Sequence, residues 1–125
     1  MRAMRAQAFR GYEDLKLADM PKPAVSEGRV LVKITAAGVT PLDHTIPSGG
    51  YARAKAPLVL GSEGAGVVED ANGSAFSIGA RVMFTGPYGV SEDGAYSEYG
   101  NEILTGREAE RIGLVERCVP AWGRL

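Results

Sequence analysis

Residues 29–36 constrain this chain more than any other stretch, because Val30, Val32, Ile34 and Ala36 recur at every second position. Strand side chains point alternately to opposite faces. The spacing therefore predicts a half-buried strand, with those residues against a core and Leu31, Lys33 and Thr35 on a mixed outer side. Around this strand the chain is cut short by breakers. Its 125 residues contain 17 Gly and 7 Pro, and the apolar runs are only a few residues long. That pattern favours short strands joined by turns over long helices. The expected fold is one loop-rich, mainly β domain with short helices and a modest core.

Further strands are expected at residues 4–9, at Leu15-Lys16-Leu17, at Leu58-Val59-Leu60, at Val67-Val68-Glu69, at residues 81–85 and at residues 95–99. Gly11-Tyr12 and Asn72-Gly73 read as turns, and Pro21 and Pro23 interrupt regular pairing. Thr40-Pro41 reads as a helix start, since Thr caps and Pro fits the first helical position. Pro47 limits that helix to a turn or two, reaching toward Ile46. Texture changes near Gly100, the one candidate boundary. Beyond it, Thr105-Gly106-Arg107-Glu108 has the spacing of a capping box, which predicts a short helix ended by Gly113 and a strand over residues 114–119.

The formal net charge is -1, with acidic and basic residues interspersed, so neither nucleic acid nor an anionic membrane is an expected partner. No apolar run approaches the roughly 20 residues that span a bilayer, and the N-terminal residues carry no apolar signal core. A single cysteine, Cys118, allows no internal disulfide and no cysteine-based structural zinc site. Cytoplasmic localisation is the matching expectation.

The glycine cluster Gly61-Ser62-Glu63-Gly64-Ala65-Gly66 invites comparison with a dinucleotide fingerprint, which needs G-x-G-x-x-G between a strand and a helix. Here Glu69 stands where the third glycine belongs and the following residues favour a strand, so close backbone packing or turns explain the glycines better. His44 is the sole histidine. With Asp43 and Glu63 it makes a conceivable metal group, but an ordinary surface or helix-end histidine is the simpler reading. Cys118 reads as an apolar filler. No G-x-S-x-G is present, and Glu92-Asp93 reads as solvated charge. Tyr51, Tyr88, Tyr96 and Tyr99 place hydroxyls near loop or strand ends, where half-buried strand tyrosines are common.

Several segments in order carry a resemblance. They are VLVKITAAGV at 30–39, Thr40-Pro41-Leu42-Asp43, Ser48-Gly49, Tyr51, PLVLGSEGAGVVE at 57–69, Gly79-Ala80-Arg81-Val82, and Gly94-Ala95-Tyr96-Ser97-Glu98-Tyr99. Residues 1–99 thereby resemble the medium-chain dehydrogenase/reductase superfamily, and within it the zinc-independent, quinone-oxidoreductase-type enzymes. The resemblance implies a GroES-like, partly open barrel over residues 1–99, an incomplete N-terminal domain, with residues 100–125 as a helix-strand tail. It implies NADPH-dependent hydride transfer to a quinone or enone. It also implies that Thr40, Asp43 and Tyr51 line the nicotinamide and substrate side of a cleft, with no residue assigned a catalytic step.

Zinc-dependent relatives carry Cys at the position of Thr40 and His at that of Ser62, so the resemblance implies no metal. The quinone-oxidoreductase branch often has Asn at the position of Thr40 and Tyr at that of Thr45, and this chain departs at both. The family's Rossmann domain is not seen in these residues, which implies a shortened chain that binds NADP(H) weakly and has little activity alone. Residues 102–120 faintly resemble the enoyl-CoA hydratase/isomerase (crotonase) family. Two alternatives follow: a non-catalytic homo-oligomerising module, and an acyl-CoA role through the tail.

Overall fold

A computed structural model describes residues 1–104, and all structural statements below concern those residues. In chain order the elements are β1 (Arg2–Ala6), a 3-10 turn (Tyr12–Asp14), β2 (Leu15–Asp19), β3 (Arg29–Ala37), α1 (Pro41–Thr45), β4 (Leu58–Val59), β5 (Glu63–Asp70), β6 (Arg81–Thr85) and β7 (Tyr99–Leu104). They form two antiparallel sheets, ordered β2-β1-β4 and β6-β5-β3-β7. This is the mainly β, GroES-like partial barrel that the sequence led us to expect, with one short helix among the described residues.

The sheets are tied by one strap. Residues 94–98 lie against both, since Gly94 and Tyr96 N–H donate to the carbonyls of Val59 and Leu60 at 2.9 Å. Tyr96 O accepts from Met4 N–H at 2.7 Å, and Glu98 O accepts from Ile34 N–H at 2.9 Å. The strand expected at residues 95–99 is therefore displaced, and β7 begins at Tyr99. The reason is a shared edge. β1 is covered by β4 at Arg5 and Ala6, and the strap takes its other end through the Ala3–Ser97 bridge. The strand expected at residues 4–9 likewise moves, to Arg2–Ala6. β7 also runs across residue 100, where the sequence changes texture, and pairs with β3 from Arg29↔Leu104 to Lys33↔Tyr99. The helix and strand expected beyond residue 104, with Cys118, lie outside the described residues.

The alternation in β3 holds at Val30 and Val32, which are fully buried, but not along its whole length. Leu31, expected outside, is only 5% exposed, while Ala36 is exposed. Register shifts against β5 at Leu31/Val32 and against β7 between Val30 and Val32 account for this, because a bulge turns successive side chains off strict alternation. Val30 and Val32 pack with Val68, Val82, Phe84, Tyr88 and Ala95 as one core cluster, in which Phe84 and Tyr88 meet edge-on at 5.4 Å. A second cluster contains Ala6, Ile46, Ala54, Leu58 and Leu60.

Close packing explains the glycines of β5. A Cβ on Gly66 would lie 2.1 Å from the Lys33 carbonyl oxygen, and one on Gly64 would lie 2.6 Å from the Phe84 ring. Only glycine lets β3, β5 and β6 approach this closely. At the β5–β6 connection, Asn72 (φ 47) and Gly73 (φ 71) take the left-handed conformation expected of that dipeptide. Glu92 and Asp93 are not free solvated charges. Glu92 pairs with Arg29 at 2.9 Å, and an Asp93 oxygen accepts from Val59 N–H at 2.9 Å.

Candidate functional site

The site is built on the first turn of α1. Thr40 is extended (φ -112) and caps the helix, Pro41 occupies its first turn, and Asp43 completes a capping box. Asp43 is 4% exposed, a rare place for a carboxylate without partners. It has three. One oxygen, Oδ2, accepts from Thr40 N–H at 2.8 Å and from the Thr40 hydroxyl at 3.0 Å. The other, Oδ1, accepts from Gly61 N–H at 3.1 Å. The carboxylate thus clamps the start of α1 to the link between β4 and β5.

Gly61 suits that clamp. Its φ is +102, and a Cβ there would lie 2.9 Å from the amide nitrogens of Ala95 and Tyr96. Next to it, Ser62 is buried, and its Oγ lies 3.2 Å from Thr40 Oγ1. The Tyr96 ring covers Gly61, and its hydroxyl donates a long hydrogen bond (3.4 Å) to Gly38 O, just before the helix. Burial, followed by the negative charge of Asp43, pushes the Tyr96 phenol up to about 12. The phenol therefore serves as a neutral hydrogen-bond donor at ordinary pH.

The structure brings Thr40 and Asp43 into direct contact. Tyr51 sits elsewhere in the same neighbourhood, half-buried against the second apolar cluster, which Leu42 and Tyr96 also flank. His44 stays at the exposed end of α1, where its ring meets Tyr12 edge-on at 5.6 Å. Among the described residues no group of three or more His, Cys, Asp and Glu side chains is placed to hold a metal. No helix among them is long and apolar enough to cross a membrane. Sequence reading alone did not reveal Gly61 and Tyr96 as parts of the site. The glycine run and the tyrosine hydroxyls were visible signals, but their convergence depends on the strap.

Comparison with known proteins agrees with this architecture. The family described as the alcohol dehydrogenase GroES-like domain matches residues 26–119. The quinone oxidoreductases of Lama guanicoe and Homo sapiens are each 41% identical over 103 residues, covering 79% of this chain and 30% of the relative. The solved quinone oxidoreductase from Coxiella burnetii superposes with a TM-score of 0.71 at 27% identity, covering 79% of this chain and 33% of that one. The chain thus spans about 30% of the length of the curated relatives it matches. With its paired sheets joined by the strap, and a family match that runs from before β3 to beyond β7, the chain belongs to the alcohol dehydrogenase GroES-like domain family of the medium-chain dehydrogenases/reductases.

Proposed function

We propose that this chain is the substrate-side domain of a cytoplasmic, NADPH-dependent, zinc-independent quinone-oxidoreductase-type enzyme that transfers hydride to a quinone or enone. The observation that carries the reading is the contact between Thr40 and Ser62. These are the positions at which zinc-dependent relatives carry Cys and His, and here they hold two neutral hydroxyls 3.2 Å apart, backed by Asp43. Catalytic zinc takes its protein ligands from thiolate, imidazole and carboxylate, so this donor set does not fit the metal. NADPH, when bound, supplies the hydride.

The chain's own residues position and enclose. Asp43 holds Thr40 and the β4–β5 link in register, and Thr40 and Tyr51 face the nicotinamide and substrate. The cluster of Ile46, Leu58 and Leu60 backs the site with apolar side chains. Residues 1–125 on their own are expected to oxidise NADPH poorly. The test is to titrate the purified protein with zinc and, separately, with a soluble quinone, following backbone amides by NMR. Quinone shifts in α1 and around Tyr51 and Tyr96, with no saturable zinc response at Thr40 and Ser62, are expected. Stoichiometric zinc binding at that pair, or no quinone response up to its solubility limit, overturns the reading.

A second reading, a homo-oligomerising interaction module, draws on apolar side chains exposed on outer strands. They are Leu17 (65% exposed) on β2 and Met83 (66%) on β6. Light scattering over a concentration series separates it from the first, since a strictly monomeric species removes it.

A further inference from the structure

The turn between β5 and β6 holds two reactive groups that the site at α1 does not use. Asn72 and Gly73 are its central residues, both exposed, and Ser74 N–H closes the turn on Ala71 O at 2.8 Å. An asparagine followed by glycine sets a side-chain amide carbon within ring-closing reach of a backbone nitrogen. That nitrogen is unhindered here. A Cβ on Gly73 would meet nothing within 4 Å, and among the described residues no acceptor takes the Gly73 N–H.

The Asn72 side chain, by contrast, is engaged. Its Nδ2 donates to Ser26 O at 2.7 Å and to Arg29 O at 3.2 Å, which pins the approach to β3 against the turn. Both partners are carbonyl oxygens, so the pin works only while a donor stands at Nδ2. A carboxylate there has no proton to offer and sets its lone pairs against theirs. Asp70, whose Oδ1 accepts from Asn72 N–H at 2.8 Å, adds a negative charge close by.

We propose that Asn72 is a site of self-deamidation, and that the reaction turns this pin into a repulsive contact that frees residues 26–29 from the turn. The Gly73 nitrogen gives its proton to base and attacks Asn72 Cγ. A bond forms between that nitrogen and Cγ, the Cγ–Nδ2 bond breaks, and Nδ2 leaves as ammonia carrying the proton lost from Gly73. Water then opens the resulting cyclic imide at either carbonyl, leaving aspartate or isoaspartate at position 72. One water is consumed, one ammonia is released, and nothing is oxidised or reduced. The reaction needs no cofactor, quinone or second domain, so it stands or falls apart from the proposed function.

The fold sets where and how fast this happens. Ring closure requires the Asn72 side chain to leave both carbonyls, so the folded protein reacts more slowly than the unfolded chain. Asp93-Gly94 pairs the same kinds of group but is locked: Asp93 Oδ1 accepts from Val59 N–H, and Gly94, which is buried, donates its N–H to Val59 O, each at 2.9 Å. Asn101 is the only other asparagine and is followed by Glu102, whose side chain hinders its nitrogen.

The test holds the purified protein at mildly alkaline pH in isotopically labelled water, beside a sample in urea, and reads oxygen incorporation by mass spectrometry of its peptides. Label is expected at position 72 of the folded protein, ahead of positions 93 and 101. Its rate is expected to rise with pH and to lie roughly tenfold below that in urea, the size of the hydrogen bonds that must first break. Gly73→Ala puts a methyl group beside the attacking nitrogen. It is expected to slow labelling several-fold in urea, where strain in the folded turn plays no part. Deamidated protein, separated by its added charge, is expected to exchange faster at residues 26–29 with the β3–β5 ladder still protected, as Asn72→Asp does. No label at position 72 of the folded protein while the urea sample labels fully overturns the inference. So do equal rates in the two samples, label at 93 or 101 as fast as at 72, an unchanged rate in Gly73→Ala, or unaltered exchange at residues 26–29 after deamidation.

Discussion

The cluster around Val30, Val32, Val68, Val82 and Phe84 is made mainly by neighbouring strands of one sheet. The cluster around Ala6, Ile46, Ala54, Leu58 and Leu60 is gathered from the ends of two strands, the end of a helix and the connections between them. Regular backbone hydrogen bonding holds the first together. The second depends on side-chain clamps, Asp43 to Gly61 above all, and on the strap at residues 94–98. The candidate site sits beside the second. Scaffold and site thus use different chemistry, and substitutions separate them.

The largest effect is expected where backbone meets backbone. Gly66→Ala pushes a methyl group to within 2.1 Å of the Lys33 carbonyl oxygen, which cannot move without parting β3 from β5. A loss of about 4 kcal/mol is expected, a large share of a small domain's stability, and is read from the urea midpoint. This breaks the scaffold, and the site falls with it.

Asp43→Ala tests the opposite order. It leaves the Thr40 and Gly61 amides and the Thr40 hydroxyl without their acceptor, for a loss of about 3 kcal/mol. Hydrogen exchange is expected to rise in α1 and around Gly61 while the β3–β5 ladder stays protected. Equal loosening of both regions removes the distinction between them.

Asn72→Asp sharpens the comparison from the scaffold's rim. Asn72 Nδ2 donates to the carbonyls of Ser26 (2.7 Å) and Arg29 (3.2 Å), pinning the approach to β3. An aspartate offers those carbonyls no proton, so a loss of about 1 kcal/mol is expected. Faster exchange should be confined to residues 26–29, with the amides of α1 and Gly61 unchanged.

The smallest effect is a pH dependence at Tyr96. Its phenol is raised to about 12 in the fold by burial and by Asp43, whereas an unfolded tyrosine ionises near 10. The unfolded chain therefore gives up its proton first as pH rises. Stability from this group is complete below about pH 10 and is lost between there and about pH 12. Tyr96→Phe should flatten the denaturation midpoint across that window relative to the unaltered protein, and unchanged curvature counts against the placement of the phenol.

Much of the scaffold was legible from local pattern. Val30 and Val32, the Thr40-Pro41 helix start, the Asn72-Gly73 turn and the strand at residues 81–85 all declare themselves within a few residues of chain. Leu31 did not, because a bulge is set by what β5 and β7 do opposite it. The displaced start of β7 has a similar cause, since residues 94–98 are drawn across to β1 and to the β4–β5 link before β3 can pair with them. Within the site, the juxtaposition of Thr40 and Asp43 follows from helical spacing. Gly61, Ser62 and Tyr96 join them only across 18 or more residues of intervening chain.

The sequence by itself determined the class of fold. Alternation, breakers and capping residues act over a few bonds, and their conformational preferences do not wait for distant partners. It also determined which groups are on offer, hydroxyls at Thr40 and Ser62 and a carboxylate at Asp43. Only the tertiary structure decided that these groups meet. That depends on the buried Asp43 carboxylate meeting the Gly61 amide, and such a contact exists only once the strap has closed the two sheets around it.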